Sequence, residues 1–327
     1  MSIFGSLSLA DAPPPAAAVE IAAHRVSAVA IETRSGRTVV AAQAVEALPD
    51  GALVPSLTAH NARERSVVLA VLQRVLDQIG RPKRIGLVVP DPVAKVSLVK
   101  FAQVPPRAHD LDQLIRWQVR KAAPFPIEEA QVSYERAART ADGQEFLVSL
   151  ARRDVIVEYE ELCAAAGAHA GLIDISTFNV VNAVIAGDVT PGAATGDWLL
   201  VNVAGDYASI VVLRGLDVIL FRSRGADAEG TLADLVHQTA MYYEDRLEGG
   251  GFSRVLVCGA SSLSARGSAD VDQIRRGLED RLGKAVETVD PRSAVSLTDR
   301  ITASPAFLDT LAPLVGLLLR GKAGRAA

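Results

Sequence analysis

WLLVNVAGDYASIVVLRGLDVILFRS, residues Trp198–Ser223, decides the reading of the fold. Trp198–Ala204 is a near-continuous apolar run, Gly205-Asp206-Tyr207 carries turn chemistry, and Ala208–Leu213 is a second run rich in β-branched residues. Gly215 marks another turn and Val218–Phe221 a third run. Helical spacing follows over Thr231–Leu247, and then a mostly apolar strand over Arg254–Ala260. The order is strand, strand, strand, helix, strand.

The N-terminal half repeats that order. Val19–Ala23 and Val26–Glu32 are candidate strands with His24-Arg25 between them, and Thr38–Val45 is a third beyond the turn Arg34–Arg37. Within Ala62–Ile79, Val67, Val68, Val71, Leu72, Val75, Leu76 and Ile79 fall at helical spacing, and Gly80 stops the helix. Arg84–Pro90 reads as a buried strand. Between Pro90 and Glu145 the pattern changes to a small α+β insertion: strand Val96–Phe101, helix Asp110–Ala122, the breaker Pro124-Phe125-Pro126, and strand Val132–Ala137. Phe146–Ala151 is expected to bring the chain back to the main sheet. Helix Asp154–Ala166, strand Gly171–Ile175 and helix Thr177–Ile185 close the first half. Helix Ala269–Leu282, strand Ala285–Val289 and helix Phe307–Leu319 close the second. The expected division is a tail at 1–17, a first domain at 18–189 with a subdomain inserted at 95–140, and a second domain at 190–327. The boundary falls in the Pro- and Gly-bearing loop Thr190–Gly196. Two βββαβα units fit a Rossmann sheet poorly, because that would place a helix after every strand.

Composition narrows the classes. At 327 residues the chain can hold two sheets, each with its own core. Polar residues interrupt every long apolar stretch, Phe307–Leu319 is too short to span a bilayer, and no cationic, apolar leader opens the sequence. A cytoplasmic location is therefore expected. The tail carries Ile3 and Phe4 before Pro13-Pro14-Pro15, and reads either as an unpacked end or as a docking peptide. Cys163 and Cys258 have no second thiol at ligand spacing and read as reduced core thiols. The five histidines are scattered, so no metal site is expected, and a net charge of −4 gives no reason to expect nucleic acid. Gly249-Gly250-Gly251 lacks the lysine and hydroxyl residue of a phosphate-binding loop and reads as a helix stop. There is no Gly-x-Ser-x-Gly, and no catalytic residue is assigned.

The ordered set of segments resembles the duplicated actin-like (RNase H-like) α/β architecture of actin, heat-shock chaperone ATPases and sugar kinases. Within it the chain resembles the PilM proteins of type IV pilus assembly, relatives of FtsA and of the cytoplasmic domain of GspL. Leu98–Glu135 looks like the PilM-type inserted subdomain, and Phe146–Ser176 like the strand, helix, glycine turn and Asp-bearing strand that follow it. Trp198–Ser223 resembles the second phosphate hairpin, and TLADLVHQTAMYYEDR with RVLVCGASS resembles the helix and adenosine-side turn. The resemblance implies an ATP and Mg²⁺ cleft at Glu20, Ala22, Ala23, Asn202, Gly205, Gly259 and Ala260, with the adenine near Ser261.

The departures weaken that cleft. Where the family shows Asp-Ile-Gly-Ser and then a Val-Lys pair, this chain has Glu20-Ile21-Ala22-Ala23, with Ser27 after Val26. Where it shows Asp-Ile-Gly, this chain has Asn202-Val203-Ala204, and a Gly-Gly pair becomes Gly259-Ala260. Each alanine puts a Cβ where a phosphate needs bare backbone, and Asn202 removes a charge from the metal environment. Loss of tight Mg·ATP binding is expected, with no cofactor. In the plainer alternative Gly205 and Gly259 are turn glycines and Asn202 a satisfied core amide.

Two function classes follow. The first is a cytoplasmic scaffold of a type IV pilus-like machine, peripheral to the inner membrane through the N-terminal tail of a bitopic, PilN-like partner. Other pilus assembly proteins and self-association are further interactions it implies. The second is a working actin-like Mg-ATPase of the same machine; a GspL-like type II secretion component is a third reading. In the family the tail lies in a groove beside the inserted subdomain. That insertion carries more apolar surface than so small a unit easily buries, which makes Phe101, Val104, Trp117, Phe125 and Ile127 the expected partner-binding residues, with Tyr134 beside them.

Overall fold

The computed structural model describes residues 15–188, 196–265, 271–299 and 301–320. Ile3 and Phe4 of the tail, and all of the expected boundary loop except Gly196, lie outside the described residues.

The first sheet is started by β1 (Ala17–Ala22), β2 (Arg25–Arg34) and β3 (Arg37–Ala47), and α1 (Arg65–Gln78) leads back to β4 (Arg84–Val89). The chain then leaves to form β5 (Ala94–Phe101), α2 (Ala108–Val119), β6 (Ala130–Thr140) and β7 (Gly143–Arg152). It returns through α3 (Arg153–Ala165) to β8 (His169–Ile175) and α4 (Ser176–Gly187). The second half runs β9 (Asp197–Val203), β10 (Tyr207–Arg214), β11 (Asp217–Gly225), α5 (Leu232–Arg246) and β12 (Arg254–Cys258). It continues through α6 (Ala260–Ala265), α7 (Val271–Leu282), β13 (Val286–Thr288), β14 (Ser296–Leu297) and α8 (Pro305–Leu319).

The two main sheets have the orders β14-β3-β2-β1-β4-β8 and β11-β10-β9-β12-β13. Apart from β14 they share one arrangement. In each, the first strand pairs antiparallel with the second and parallel with the strand after the helix. The duplicated βββαβα architecture expected from the sequence is the one found. The inserted strands make a separate sheet of order β5-β7-β6, over which Leu111, Ile115 and Val119 of α2 are buried.

Packing explains which helices the sheets need. Val68, Val71, Leu72, Val75 and Leu76 of α1 fill one face of the first sheet together with Tyr159 and Leu162 of α3. On the other face, α8 packs against β1, β2 and β4. Val180, Val181 and Val184 of α4 share a cluster with Leu200, Val211 and Leu256 of the second sheet and with Ala312 of α8. A helix apolar on all sides must be covered on all sides. Helix α8 (PAFLDTLAPLVGLLL) meets that condition by lying between the halves, each fully buried leucine contributing roughly 1.5–3 kcal/mol. Gly316 sets its approach to α4, since a Cβ there would stand 1.6 Å from the Asn179 carbonyl oxygen.

Two expectations differ from the structure. Phe146–Ala151 does not return to a main sheet; it is the middle of β7, the central strand of the inserted sheet. Strand β12 stops at Cys258, and Ala260 and Ser261 already belong to α6. Within the expected second domain, 190–327, β14 pairs with β3 and α8 lies on the first sheet.

Candidate functional site

Four segments converge where the two sheets face each other: the β1–β2 hairpin, the start of α4, the β9–β10 hairpin and the turn between β12 and α6. They enclose a cavity of about 40 Å³ lined by Glu20, Ala22, Ala23, Asn202, Gly205 and Gly259 among others. Pockets that hold small molecules span ~300–1,000 Å³. Ala260 and Ser261 do not line it; they lie in the first turn of α6.

The occupant of the first hairpin is a side chain of this protein. Glu20 is 4% exposed, and its Oε2 accepts from Arg25 Nη2 at 2.8 Å and from Ser27 Oγ at 3.3 Å. Its Oε1 accepts from Ser176 Oγ at 3.3 Å. Burial works against the Arg25 charge, but the adjacent Glu20 carboxylate outweighs it and raises the guanidinium above its ordinary range. The turn Ala23-His24 joins Ala22 directly to Arg25, and none of these residues takes a positive φ. Two-residue hairpin turns usually need that conformation, which glycine supplies.

At the opposite corner, the turn after β12 is also taken. Gly259 has φ +91°, and a Cβ there would lie 1.9 Å from the Val203 carbonyl oxygen, so its glycine is required by the close passage of β9. Ser262 N donates to Asp309 Oδ2 at 3.0 Å, and Ser262 Oγ donates to the Ala306 carbonyl at 3.0 Å. Burial pushes the Asp309 carboxyl up, against the pull of the backbone N–H groups of Gly259, Ser262 and Ser261.

Asn202 is satisfied rather than open. Its Nδ2 donates to Thr177 Oγ1 at 2.9 Å, Thr177 N donates to Asp91 Oδ1 at 3.0 Å, and Thr177 Oγ1 donates to Asp91 Oδ2. All three residues are buried, and burial raises the Asp91 carboxyl to about 6, against its hydrogen bonds to Ser209 and Thr177. Gly205 is exposed at the tip of its hairpin, where Ala204 N donates to the Tyr207 carbonyl at 2.8 Å.

Arg25, Asp91, Thr177 and Asp309 escaped the sequence reading, although two carried a signal. Asp309 is the one charged residue within α8, and Arg25 directly follows the turn that lost its glycine. A charge in such a place needs a partner, and the partner is the informative residue.

A second concavity, of about 560 Å³, lies between the inserted sheet and the first main sheet. Its two long walls are strands that end their sheets: β8, through Ala170–Ile175, and β6, through Gln131, Ser133 and Glu135. Val181 and Ile185 of α4 form the floor with Leu147 of β7, and Leu216 of the β10–β11 turn reaches in from the second half. Leu216 is 68% exposed and Val157, at the α3 side, 40%. Arg320 crosses between the walls, with Nη1 2.8 Å from Asp174 Oδ2 and Nη2 on Glu135 Oε1. Burial raises the Asp174 carboxyl, against the Arg320 charge.

The five expected partner residues lie elsewhere on the inserted subdomain. Phe101 is buried in its core, 5.9 Å between ring centroids from Phe146, and Val104, Phe125 and Ile127 pack half-buried on the same cluster. Trp117 points to solvent, 68% exposed. Of the apolar residues singled out there, Tyr134 lines the groove.

This architecture and its central cleft define an actin-like ATPase fold. The family model for type IV pilus assembly protein PilM matches residues 18–246, and the chain belongs to that family. A PilM–PilN type IV pilus biogenesis complex contains a chain of the same fold, 16% identical, covering 95% of this chain and 98% of that one with a TM-score of 0.76. A Bacteroides thetaiotaomicron protein with an actin-like ATPase fold is 10% identical over 83% of this chain and 89% of its own, with a TM-score of 0.49. The cytoplasmic domain of EpsL from the Vibrio cholerae type II secretion system is 10% identical over 74% and 80%, with a TM-score of 0.45. No curated protein sequence matches the chain. Among the described residues, no helix is long and apolar enough to cross a membrane.

Proposed function

We propose that this PilM-family chain is a cytoplasmic scaffold of a type IV pilus machine, which takes the extended N-terminal tail of a bitopic, PilN-like inner-membrane protein into the groove between β8 and β6. The observation that carries this reading is that both walls of the groove are unpaired strand edges. An extended peptide laid between such edges gains main-chain hydrogen bonds from them, while alternate side chains seek apolar pockets. Val181, Ile185 and the exposed Leu216 supply those pockets. The related PilM–PilN complex, named for a partner of this kind, supports the same reading. In this reading 18–189, with 95–140 inserted, and 190–327 are the two domains, the second lending β14 and α8 to the first sheet.

The scaffold reading also rests on how poorly the cleft residues fit Mg·ATP. The phosphate side of the first hairpin is taken by the Arg25 guanidinium, a cation already neutralising Glu20. The backbone N–H of Ser262, on the adenosine side, is taken by Asp309. The second acidic position is an amide bonded within the core. Both the cation and the anion that a nucleotide complex would bring are supplied by the chain itself.

The experiment is calorimetric titration of the full chain with a synthetic peptide of the partner's cytoplasmic tail, for the wild type and for Ser133→Trp and Leu216→Asp. Ser133 is half-buried on the groove wall and Leu216 is exposed, so neither change opens the core. Micromolar binding in the wild type, lost in both variants, is expected. Undiminished binding in both would remove the tail from this groove.

A further inference from the structure

We infer that the C-terminal end of α2 is a membrane-surface contact that meets a layer of anionic phospholipid headgroups. Helix α2 fills its inward face with Leu111, Ile115 and Val119, yet Trp117 on the outer side is 68% exposed. The other tryptophan, Trp198, is 4% exposed in the second core. Trp117 therefore spends a large apolar ring on solvent without serving the subdomain's own packing.

Basic residues gather at this end of the helix, beyond the Arg116–Asp112 pair. Arg120, the C-cap of α2, and Lys121, in the turn just beyond it, follow Trp117 at three and four residues, and both are exposed. Lys95 Nζ reaches the same end of the helix from β5, donating to the Ala122 carbonyl at 2.8 Å. None of these three cations is ion-paired among the described residues. Exposed Pro124 and half-buried Phe125 continue the surface beyond the turn. In a chain of net charge −4, this is a local excess of positive charge around an exposed indole.

That combination is complementary to one kind of surface. Indole rings settle at the headgroup level of a bilayer, and each Lys or Arg beside them is attracted to anionic lipid. Among the described residues, no hydrogen bond fixes the Arg120 or Lys121 side chain. A phosphopeptide or a single bound anion requires a rigid cradle of donors, whereas a fluid headgroup layer does not. The site is separate from the groove and stands whether or not a tail binds there.

The test uses the full chain with vesicles of phosphatidylglycerol and phosphatidylethanolamine, and with vesicles of phosphatidylcholine alone. At low salt the protein should co-sediment with the anionic vesicles, and its fluorescence should shift to the blue through Trp117, since Trp198 is already buried. Raising salt should weaken the binding. The double variant Arg120→Glu, Lys121→Glu should lose at least about tenfold in affinity, and Trp117→Ala should lose both the shift and part of the binding. Leu216→Asp in the groove should bind vesicles like the wild type. The proposal is overturned if anionic vesicles are not bound, if neutral vesicles bind equally, or if the α2 variants bind undiminished. A blue shift with polyglutamate but not with vesicles would assign the surface to an acidic protein instead, and would equally overturn it.

Discussion

Arg25 Nη2 stands 2.8 Å from Glu20 Oε2, the two residues lying diagonally across the β1–β2 hairpin. The carboxylate is 5% exposed and the guanidinium 27%, so the pair is only partly screened by water. Removing one member of such a pair strands the other, at a cost of about 3–5 kcal/mol for full burial. Arg25→Ala should lower stability by roughly 3 kcal/mol in denaturant titration, the smaller value reflecting its partial exposure. Combining it with Glu20→Gln should recover much of the loss. Equal stability of Arg25→Ala and the wild type would show that the pair does not hold the hairpin.

The same pair sets a condition on restoring nucleotide binding. Ala22→Gly, Ala204→Gly and Asn202→Asp together return the backbone and charge of the family pattern, but leave Arg25 and Asp309 where they are. That triple variant should show no thermal shift with millimolar Mg·ATP. Adding Arg25→Ser and Asp309→Asn should open the space, and a nucleotide at one hundred times its dissociation constant would then add about 2.7 kcal/mol. Micromolar ATP affinity in the unmodified protein, measured by calorimetry, would refute the closed-cleft reading.

Asp91 gives the interface between the halves a pH dependence. Its folded pKa is raised to about 6 from 3.8, so the folded state binds the proton more tightly than the unfolded chain. Its contribution to stability is fully present below pH ~3.8 and is lost as the pH rises through about 6, on the order of 3 kcal/mol in all. Asp91→Asn keeps a carbonyl acceptor for the Thr177 N–H and cannot ionise. The difference in stability between Asp91→Asn and wild type should therefore grow in favour of the variant from pH 4 to pH 7. A constant difference across that range would place the titration elsewhere.

Most of the fold was legible because strands and helices here follow their periodicities. Val68, Val71, Leu72, Val75 and Leu76, all marked by helical spacing, are the buried residues of α1, and the apolar runs of Trp198–Ser223 are three paired strands. Which sheet a strand joins was less legible. Phe146–Ala151 reads as a half-buried strand wherever it pairs, and only tertiary contacts put it between β5 and β6. At the cleft, the lost glycines were visible but their replacements were not, since Arg25 and Asp309 act on residues 5 and 47 positions away. The groove was hidden for a related reason: its walls are strand edges, set by topology, whereas aromatic content drew attention to Phe101 and Phe125, which the subdomain needs for its own core.

If the groove takes the partner tail while the cleft stays closed, tail binding must not depend on nucleotide. Tail-peptide affinity is measured by calorimetry, with and without millimolar Mg·ATP, for wild type and for the double variant Ser133→Trp, Leu216→Asp. The prediction is one affinity for the wild type in both conditions and no detectable binding by the variant, with its far-ultraviolet circular dichroism unchanged. A folded double variant that binds like the wild type, or tail binding that appears only with Mg·ATP, would contradict it.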